Sequence, residues 1–217
     1  MERALQRLQA SRDRPKRQFL LDTVATLWSP PPRSCFRPRA PWSQLDATPE
    51  AIALVASFAQ DPREEVRRAA LRALGKVSRH RELALPALHA ALHDESVLVR
   101  LSAMQSLAAV PHPESRAHFA DALVSPTWTL RWLAAGALAE LDPSLDLTPV
   151  LLEARPRRGS SHWDWLDALR KLGPRARAAI PVLRELHRAR ATDDRTFEAS
   201  DIEWTLRCVE ATAISPA

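Results

Sequence analysis

The apolar positions of this chain recur in four segments that align with one another. Each segment carries an aliphatic residue followed directly by an arginine, and these pairs are Val66-Arg67, Val99-Arg100, Leu130-Arg131 and Leu206-Arg207. In the first three segments alanine and leucine follow four and eight positions after the aliphatic residue, a spacing that lies on one face of an α-helix. The pattern predicts four helices, at 61–77, 94–110, 125–141 and 201–214.

Second helices are predicted between these segments. Apolar spacing and proline positions place them at about 80–92, 113–124, 144–154 and 174–189. The repeating unit is therefore a helical hairpin of roughly 31 to 40 residues. Because stacked hairpins bury their apolar faces between neighbours, we expect an all-α fold, an α-solenoid of about five hairpins with no single catalytic cleft.

The N-terminal quarter has a different pattern. Helical spacing within residues 1–28 predicts an N-terminal helical cap on the repeats. Five prolines in residues 29–42 cannot continue a helix, so we interpret 29–47 as a proline- and arginine-rich loop. The repeat domain then spans 48–217.

Three of the repeat helices carry residues typical of a helix start. Asp61-Pro62 with Glu64 has the pattern of an N-cap, a proline in the first turn and a capping box. Ser125-Pro126 and Thr48-Pro49 repeat the cap and the proline. We therefore predict helix starts at these positions.

These residues together resemble a known repeat. Residues 61–75 follow the pattern D-P-x-x-x-V-R-x-x-A-x-x-A-L-G, with A-x-P-x-L at 84–88, which is similar to the HEAT repeat and to short bacterial HEAT-like repeats related to phycobilisome-lyase proteins. The resemblance covers about residues 48–214 and implies an armadillo-like helical solenoid. It also implies a ladder between repeats, in which an aspartate is paired with the arginine six positions later. The pairs would be Asp61/Arg67, Asp94/Arg100 and Asp201/Arg207, with Ser125 before Arg131.

The fourth repeat departs from this pattern. Matching Leu172-Gly173 to Leu74-Gly75 places Asp164 and Trp165 where valine and arginine stand in the first repeat. Matching Trp163 to Trp128 instead shifts the register by one residue, and both registers remain open. The arginine is missing in either register. Functional residues are sometimes found where a repeated pattern breaks.

Tryptophans accumulate toward the C-terminal half of the chain. Trp128 and Trp132 are four residues apart and share a helical face, and Trp204 occupies the matching position in the last segment. We interpret this face as packing between neighbouring helices, and the alternative is an exposed aromatic surface that anchors a protein or stacks bases. The candidate binding residues are Trp128, Trp132, Trp163, Trp165 and Trp204.

A second resemblance concerns the fourth and last repeats. Trp163-Asp164-Trp165-Leu166-Asp167, followed by Trp204-Thr205-Leu206-Arg207, is similar to a motif of alkylpurine DNA glycosylases built from HEAT-like repeats. The resemblance implies that Asp167 stabilises a developing sugar cation, that Trp163 and Trp204 supply aromatic contacts, and that Arg207 contacts a phosphate. Trp-Thr-Leu-Arg also occurs at 128–131, so this part of the motif is a repeat consensus here.

Composition limits the chemistry that this chain can carry. Of 217 residues 46% are hydrophobic and 26% charged, and no apolar run reaches the length of a membrane span, so we expect a cytoplasmic protein without membrane association. Four glycines argue against a glycine-rich phosphate loop, and two cysteines argue against a disulfide framework. His89 and His93 lie one helical turn apart, but two ligands without a third do not make a metal site. We expect no metal and no small-molecule cofactor.

The net charge of +5 is concentrated near the N-terminus. Residues 1–45 hold nine basic and three acidic side chains, whereas the remainder is balanced. Arg14, Lys16 and Arg17 are therefore candidate phosphate contacts, together with Arg207. Nucleic acid is the alternative partner that this charge favours.

Repeat architecture and the lack of a catalytic constellation favour a binding function. We predict a non-enzymatic scaffold or adaptor whose second helices line a concave surface for a protein partner. The alternative is a nucleic-acid-binding HEAT protein, with base excision through Asp167 as its enzymatic form.

Overall fold

The computed structural model describes residues 14–28, 47–77, 80–156, 163–190 and 199–211, and in these ranges the chain is all-α, without a β-strand. The chain forms two compact units, Met1–Val110 and Pro111–Ala217. The helices of the first unit are α1 (Arg14–Trp28), α2 (Pro49–Ser57), α3 (Glu64–Leu74), α4 (Arg81–Ala91) and α5 (Val97–Ala109). Those of the second unit are α6 (Arg116–Ala122), α7 (Trp128–Leu141), α8 (Thr148–Glu153), α9 (Trp163–Leu172), α10 (Ile180–Arg190) and α11 (Ala199–Glu210). The predicted proline- and arginine-rich loop lies outside the described residues, apart from Ala47.

The first unit is built around α3, which packs against α1, α2 and α5. The apolar stripe that the sequence predicts on α3 is buried: Val66, Ala70 and Leu74 have no exposed surface. Leu21 and Val24 of α1 are buried as well. Burial of one apolar stripe per helix is what stabilises such short helices in water.

The second unit contains a row of neighbouring helices, α7, α9 and α11. The backbone of Gly136 on α7 approaches Ala168 on α9, and Glu140, one turn later, binds Lys171 (2.9 Å). Both pairs advance in the same direction, so α7 and α9 are parallel. The short helix α8 packs against both of them. In this unit too, the first helices of successive repeats lie side by side.

Each of three repeats begins with a turn made by its first side chain. The oxygen of that side chain accepts the backbone N–H two residues later: Arg63 N to Asp61 (3.0 Å), Ser96 N to Asp94 (2.9 Å) and Thr127 N to Ser125 (3.2 Å). Such turns compete with helix capping, so the helices begin later than predicted, at Glu64 and Trp128. The predicted N-caps at Asp61 and Ser125 are therefore wrong. The N-cap at Thr48 is confirmed, because its hydroxyl accepts the N–H of Ala51 (3.3 Å).

Arginine closes the same turns from the helix side. The guanidinium donates to the backbone carbonyl six residues earlier: Arg67 to Asp61 (3.1 Å), Arg100 to Asp94 (2.7 Å) and Arg131 to Ser125 (2.5 Å). Because the acceptor is a backbone carbonyl, serine at the first position serves as well as aspartate. The arginine can therefore be kept where the aspartate is replaced.

The connection between repeats runs from Arg67 to the aspartate of the next repeat. Nη2 of Arg67 donates to Oδ1 of Asp94 (2.9 Å), and its Nε lies 2.9 Å from Oδ2.

The implied Asp201/Arg207 pair is not formed in the described chain. Arg207 donates to Glu203 (2.9 Å), and the carbonyl of Asp201 accepts the hydroxyl of Thr205 (2.7 Å).

Two arginines outside the repeat pattern bind the C-terminal ends of the first helices. Arg81 donates to the carbonyls of Leu74 and Gly75 at the end of α3, and to Ser106 of α5 (2.7 Å). Arg175 links α7 and α9 in the same manner, through the carbonyls of Ala139 (3.1 Å) and Leu172 (3.2 Å). Since the last carbonyls of a helix have no intrahelical donor, one guanidinium satisfies two helix ends at once.

Gly75 allows α3 and α5 to approach closely. A Cβ at this position would lie 2.6 Å from Oγ and 2.7 Å from Cβ of Ser106, and 3.0 Å from its Cα. The φ of Gly75 is −62°, which alanine adopts readily, so the clash alone decides the outcome. We expect Gly75→Ala to lower the free energy of unfolding by about 1–3 kcal/mol, as overpacking does. Urea denaturation followed by far-UV circular dichroism measures the change.

A double-mutant cycle separates this clash from a general effect of alanine. Ser106→Gly removes the two closest atoms, so it should cost less in the Gly75→Ala background than in the wild type. Gly136→Ala is the matched control, because its Cβ would meet the Cδ of Lys171 at 3.3 Å, the movable part of a long side chain. Equal costs for Gly75→Ala and Gly136→Ala would contradict the assignment.

Candidate functional site

The five candidate tryptophans fall into two groups. Trp132 and Trp165 are buried, with 4% and 0% of their surface exposed. Trp128, Trp163 and Trp204 are 42%, 52% and 55% exposed. The interpretation of the tryptophans as packing residues therefore holds for the first group and is wrong for the second.

The buried pair fixes α8 between its neighbours. Nε1 of Trp132 donates to the carbonyl of Ala154 (2.6 Å), and Nε1 of Trp165 donates to the carbonyl of Leu151 (2.8 Å). Both acceptors lie at the C-terminal end of α8, which is only six residues long and cannot be stable alone. The indoles of Trp132 and Trp165 lie in the core, so these two residues are not part of the exposed surface.

The exposed tryptophans of α9 and α11 lie beside a connected pair, Asp167 and Arg170. Trp163 precedes Asp167 by one turn of α9, so both lie on the same side of that helix. Arg170 lies 3.6 Å from Asp167, and its guanidinium stacks 4.5 Å from the ring centre of Trp204 on α11. We call Trp163, Asp167, Arg170 and Trp204 the α9–α11 face.

Trp128 is arranged differently. It is the first residue of α7, and the guanidinium of Arg131 from the same helix stacks on its ring at 5.0 Å. Arg131 also lies 3.4 Å from Glu153. Trp128 therefore stacks on an arginine of its own helix and is not one of the four residues that define the α9–α11 face.

Two carboxylates, Asp164 and Asp167, lie on the same helix as the exposed Trp163. Asp167 is half exposed and is paired with Arg170 and with Lys171 (3.3 Å). Burial raises the pKa of Asp164, and the charge of Asp167 raises it further. The residues implied by the glycosylase resemblance are thus brought together in part: Asp167 and Trp204 both contact Arg170, Trp163 shares a helical side with Asp167, and Arg207 binds Glu203.

Arg17, a predicted phosphate contact, is used inside the first unit. Its Nη1 donates to Oδ2 of Asp61 (2.9 Å), and its guanidinium stacks on Phe58 at 5.2 Å. This side chain fastens α1 to the turn before α3, and its role as a phosphate contact stays a prediction. Arg14 and Lys16 belong to α1, but their side chains lie outside the described part of the chain.

The same aspartate supports an acid-stability prediction. Hydrogen bonds from Arg63, with a smaller contribution from Arg17, lower the pKa of Asp61 from 3.8 to about 2. A pKa lowered by folding stabilises the protein above pH 3.8, and this contribution is lost as the pH falls toward 2. Because the Arg63 side chain is partly exposed, we expect Asp61→Asn to cost on the order of 1–2 kcal/mol at neutral pH.

The pH dependence identifies the charge as the cause. Asparagine keeps the acceptor for the turn, so the difference in unfolding free energy between wild type and Asp61→Asn should shrink between pH 4 and 2. Urea denaturation at a series of pH values measures it. A difference that stays constant over this range would contradict the assignment.

Neither a metal-binding cluster nor a membrane-spanning helix is found in the described residues. No group of three or more histidine, cysteine, aspartate or glutamate side chains there could hold a metal ion. His89 lies on α4 and His93 just beyond it. Within the same ranges, every helix is too short or too polar to cross a bilayer.

The α9–α11 face therefore has the features of a recognition surface: exposed indoles, a stacked guanidinium and half-exposed carboxylates on rigid helices. Tryptophan and arginine are the residues most enriched among those that dominate protein interfaces.

Comparison with models of known protein families finds no match, and comparison with curated proteins finds none either.

Proposed function

We propose that this chain is a HEAT-like helical-repeat scaffold that binds a protein partner through the α9–α11 face. The observation that carries the proposal is the exposure of Trp163 and Trp204, each more than half exposed, beside Trp165, which is fully buried on the same helix as Trp163. Large exposed aromatic groups on a rigid surface are uncommon without a partner. Burial of such side chains supplies most of the free energy of many protein complexes.

The repeat architecture supports a scaffold. The aligned Val-Arg and Leu-Arg pairs, the shared turn chemistry of Asp61, Asp94 and Ser125, and the parallel first helices α7 and α9 are what stacked hairpins require. The exposed tryptophans belong to first helices. We therefore assign the partner surface to this layer rather than to the second helices.

Affinity capture with matched variants tests the proposal. The wild-type chain, Trp163→Ala/Trp204→Ala and Trp128→Ala are immobilised and exposed to an extract of the source cells, and the retained proteins are identified by mass spectrometry. We expect a protein that is retained by the wild type and by Trp128→Ala but lost with the double variant. Trp128 is the control because it is exposed and stacked on an arginine, yet lies outside the face.

Binding of the purified partner then gives the size of the effect. Removal of two central tryptophans should raise Kd by about 10–100-fold, which corresponds to roughly 1.4–2.8 kcal/mol. Circular dichroism checks that the variants are folded. A partner bound equally by all three proteins would contradict the assignment of the surface.

Base excision through Asp167 is the second candidate, because Arg170 contacts both Asp167 and Trp204, and Trp163 lies one helical turn before Asp167. Incubation of the chain with methylated DNA tests it directly. Release of the methylated base by the wild type but not by Asp167→Asn would establish this activity in place of the scaffold function. Absence of base release by the wild type would exclude the base-excision activity.

A further inference from the structure

The helices that form the α9–α11 face carry more negative than positive charge. The sequences of α9 and α11 contain five carboxylates and three cations, although the whole chain has a net charge of +5. The carboxylates are Asp164, Asp167, Asp201, Glu203 and Glu210, and the cations are Arg170, Lys171 and Arg207. The sequences of the two helices therefore carry a net charge of −2, opposite in sign to that of the chain, and one of their carboxylates, Glu210, is paired with Arg184 of α10 (2.8 Å).

The three cations are already committed to carboxylates. Arg170 lies 3.6 Å from Asp167 and Arg207 lies 2.9 Å from Glu203. Lys171 is shared between Asp167 (3.3 Å) and Glu140 of α7 (2.9 Å). Each of them therefore has a carboxylate partner, and the pair of Arg207 with Glu203 is largely exposed to solvent.

Two carboxylates of these helices have no ion-pair partner among the described residues. Among the described residues no basic side chain lies within ion-pair distance of Asp164 or Asp201. Burial, and to a smaller extent the neighbouring charge of Asp167, raise the pKa of Asp164, and the charge of Lys171 acts in the opposite direction. A cation that docks beside these groups would lower the electrostatic energy of the folded chain.

The exposed indoles favour the same class of ligand. The face of a tryptophan ring attracts a guanidinium or an ammonium group within about 6 Å, as Arg170 already does on Trp204. More than half of Trp163 and Trp204 still faces solvent. Aromatic faces beside unpaired carboxylates are complementary to the side chains of arginine and lysine.

We infer that the partner segment that docks on the α9–α11 face is rich in arginine and lysine, and that its cationic side chains contact Trp163, Trp204, Asp164 and Asp167. This inference rests on the proposed function and names the chemistry of the partner. A polyanion such as DNA would meet the excess of carboxylates and would be repelled.

Peptide titration with the full chain tests the inference. The probes are a short peptide in which arginines alternate with glycine and serine, and its counterpart with glutamate in place of arginine. Tryptophan fluorescence and calorimetry follow binding to the wild type, to Trp163→Ala/Trp204→Ala and to Asp164→Asn/Asp167→Asn. Asp121→Asn is the matched control, because it removes an exposed carboxylate from α6 of the same unit.

We expect the arginine peptide to bind and the glutamate peptide not to bind. Each exposed ion pair or cation–π contact contributes about 0.5–1 kcal/mol, so each double variant should raise Kd by roughly 5–30-fold, with Asp121→Asn unchanged. Added salt should weaken binding of the arginine peptide to the wild type. Since Asp164 is partly buried, Asp167→Asn alone serves as the second variant if the double variant does not fold.

Three outcomes would overturn the inference: failure of the arginine peptide to bind, equal binding of the glutamate peptide, or equal affinity of the wild type and the aspartate variants. Binding of duplex DNA that depends on Trp163 and Trp204 would overturn it as well. Failure of the inference and failure of the proposed function are distinguishable. A captured protein that needs the tryptophans but not the aspartates would preserve the function and reject the cationic partner.

Discussion

Replacement of Trp165 by alanine is expected to lower the free energy of unfolding of the second unit by about 3–5 kcal/mol, the range for truncation of a buried tryptophan. The indole has no exposed surface, and its N–H donates to the carbonyl of Leu151. Alanine would leave a cavity between α8 and α9, and it would leave the carbonyl of Leu151 without the indole donor. Both changes lower the free energy of unfolding. Urea denaturation followed by circular dichroism measures the loss.

Trp163→Ala is the matched control on the same helix. Its side chain is 52% exposed, so its removal should change stability by only about 0.5–1 kcal/mol while it weakens partner binding. Trp165→Phe fills most of the cavity and isolates the missing hydrogen bond, at about 1–2 kcal/mol. Similar stabilities of Trp163→Ala and Trp165→Ala would contradict the division of the tryptophans into core and surface groups.

Replacement of Arg81 by methionine is expected to destabilise the first unit by about 2–4 kcal/mol. The arginine is 5% exposed, and burial lowers the pKa of its guanidinium. Methionine would fill the space of the aliphatic stem. However, it would remove the donor that Arg81 supplies to the carbonyls of Gly75 and Ser106, and buried acceptors without a partner are costly. The carbonyl of Leu74 would keep the N–H of Val77 (3.1 Å).

Arg72→Met gives the comparison for a surface arginine. Arg72 pairs with Asp22 at 2.8 Å, but its side chain is 41% exposed, so its loss should cost less than about 1 kcal/mol. Thermal or urea denaturation of the two variants under the same conditions compares their losses of unfolding free energy. Equal losses would show that the helix ends bound by Arg81 find other partners, such as water.

The sequence predicted those parts of the fold that depend on local spacing. The stripe of Val66, Ala70 and Leu74 is buried because residues four apart on a helix share a face, and this relation needs no knowledge of other helices. The roles of Arg81 and Arg175 were not predictable in the same way. Their guanidinium groups bind backbone carbonyls on two different helices, and a backbone carbonyl has no sequence signature.

The candidate site was predictable in its residues but not in its exposure. Trp128 and Trp132 share a helical side, yet Trp132 is buried while Trp128, the first residue of α7, is 42% exposed. The resemblance singled out Trp163, Asp167 and Trp204. Arg170, which contacts both Asp167 and Trp204, was missed because its contact with Trp204 crosses from α9 to α11.

The helix-start errors have a single physical cause. Aspartate and serine suit both an N-cap and a turn to the N–H two residues later, so the residue type alone does not separate these two structures. At Asp61 and Ser125 the turn prevails, because the arginine six residues later binds the carbonyl of the same residue. Thr48 has no such arginine after it and caps its helix as predicted.

Nuclear magnetic resonance of the indole N–H groups tests the central claim most directly. The chain has seven tryptophans, so seven indole signals can be assigned by substitution and followed as the captured partner is added to the labelled, full-length protein. We expect the signals of Trp163 and Trp204 to shift and to become protected from solvent, while those of Trp132 and Trp165 stay unchanged. Partner binding that leaves Trp163 and Trp204 unperturbed would contradict the assignment of the α9–α11 face as the binding surface.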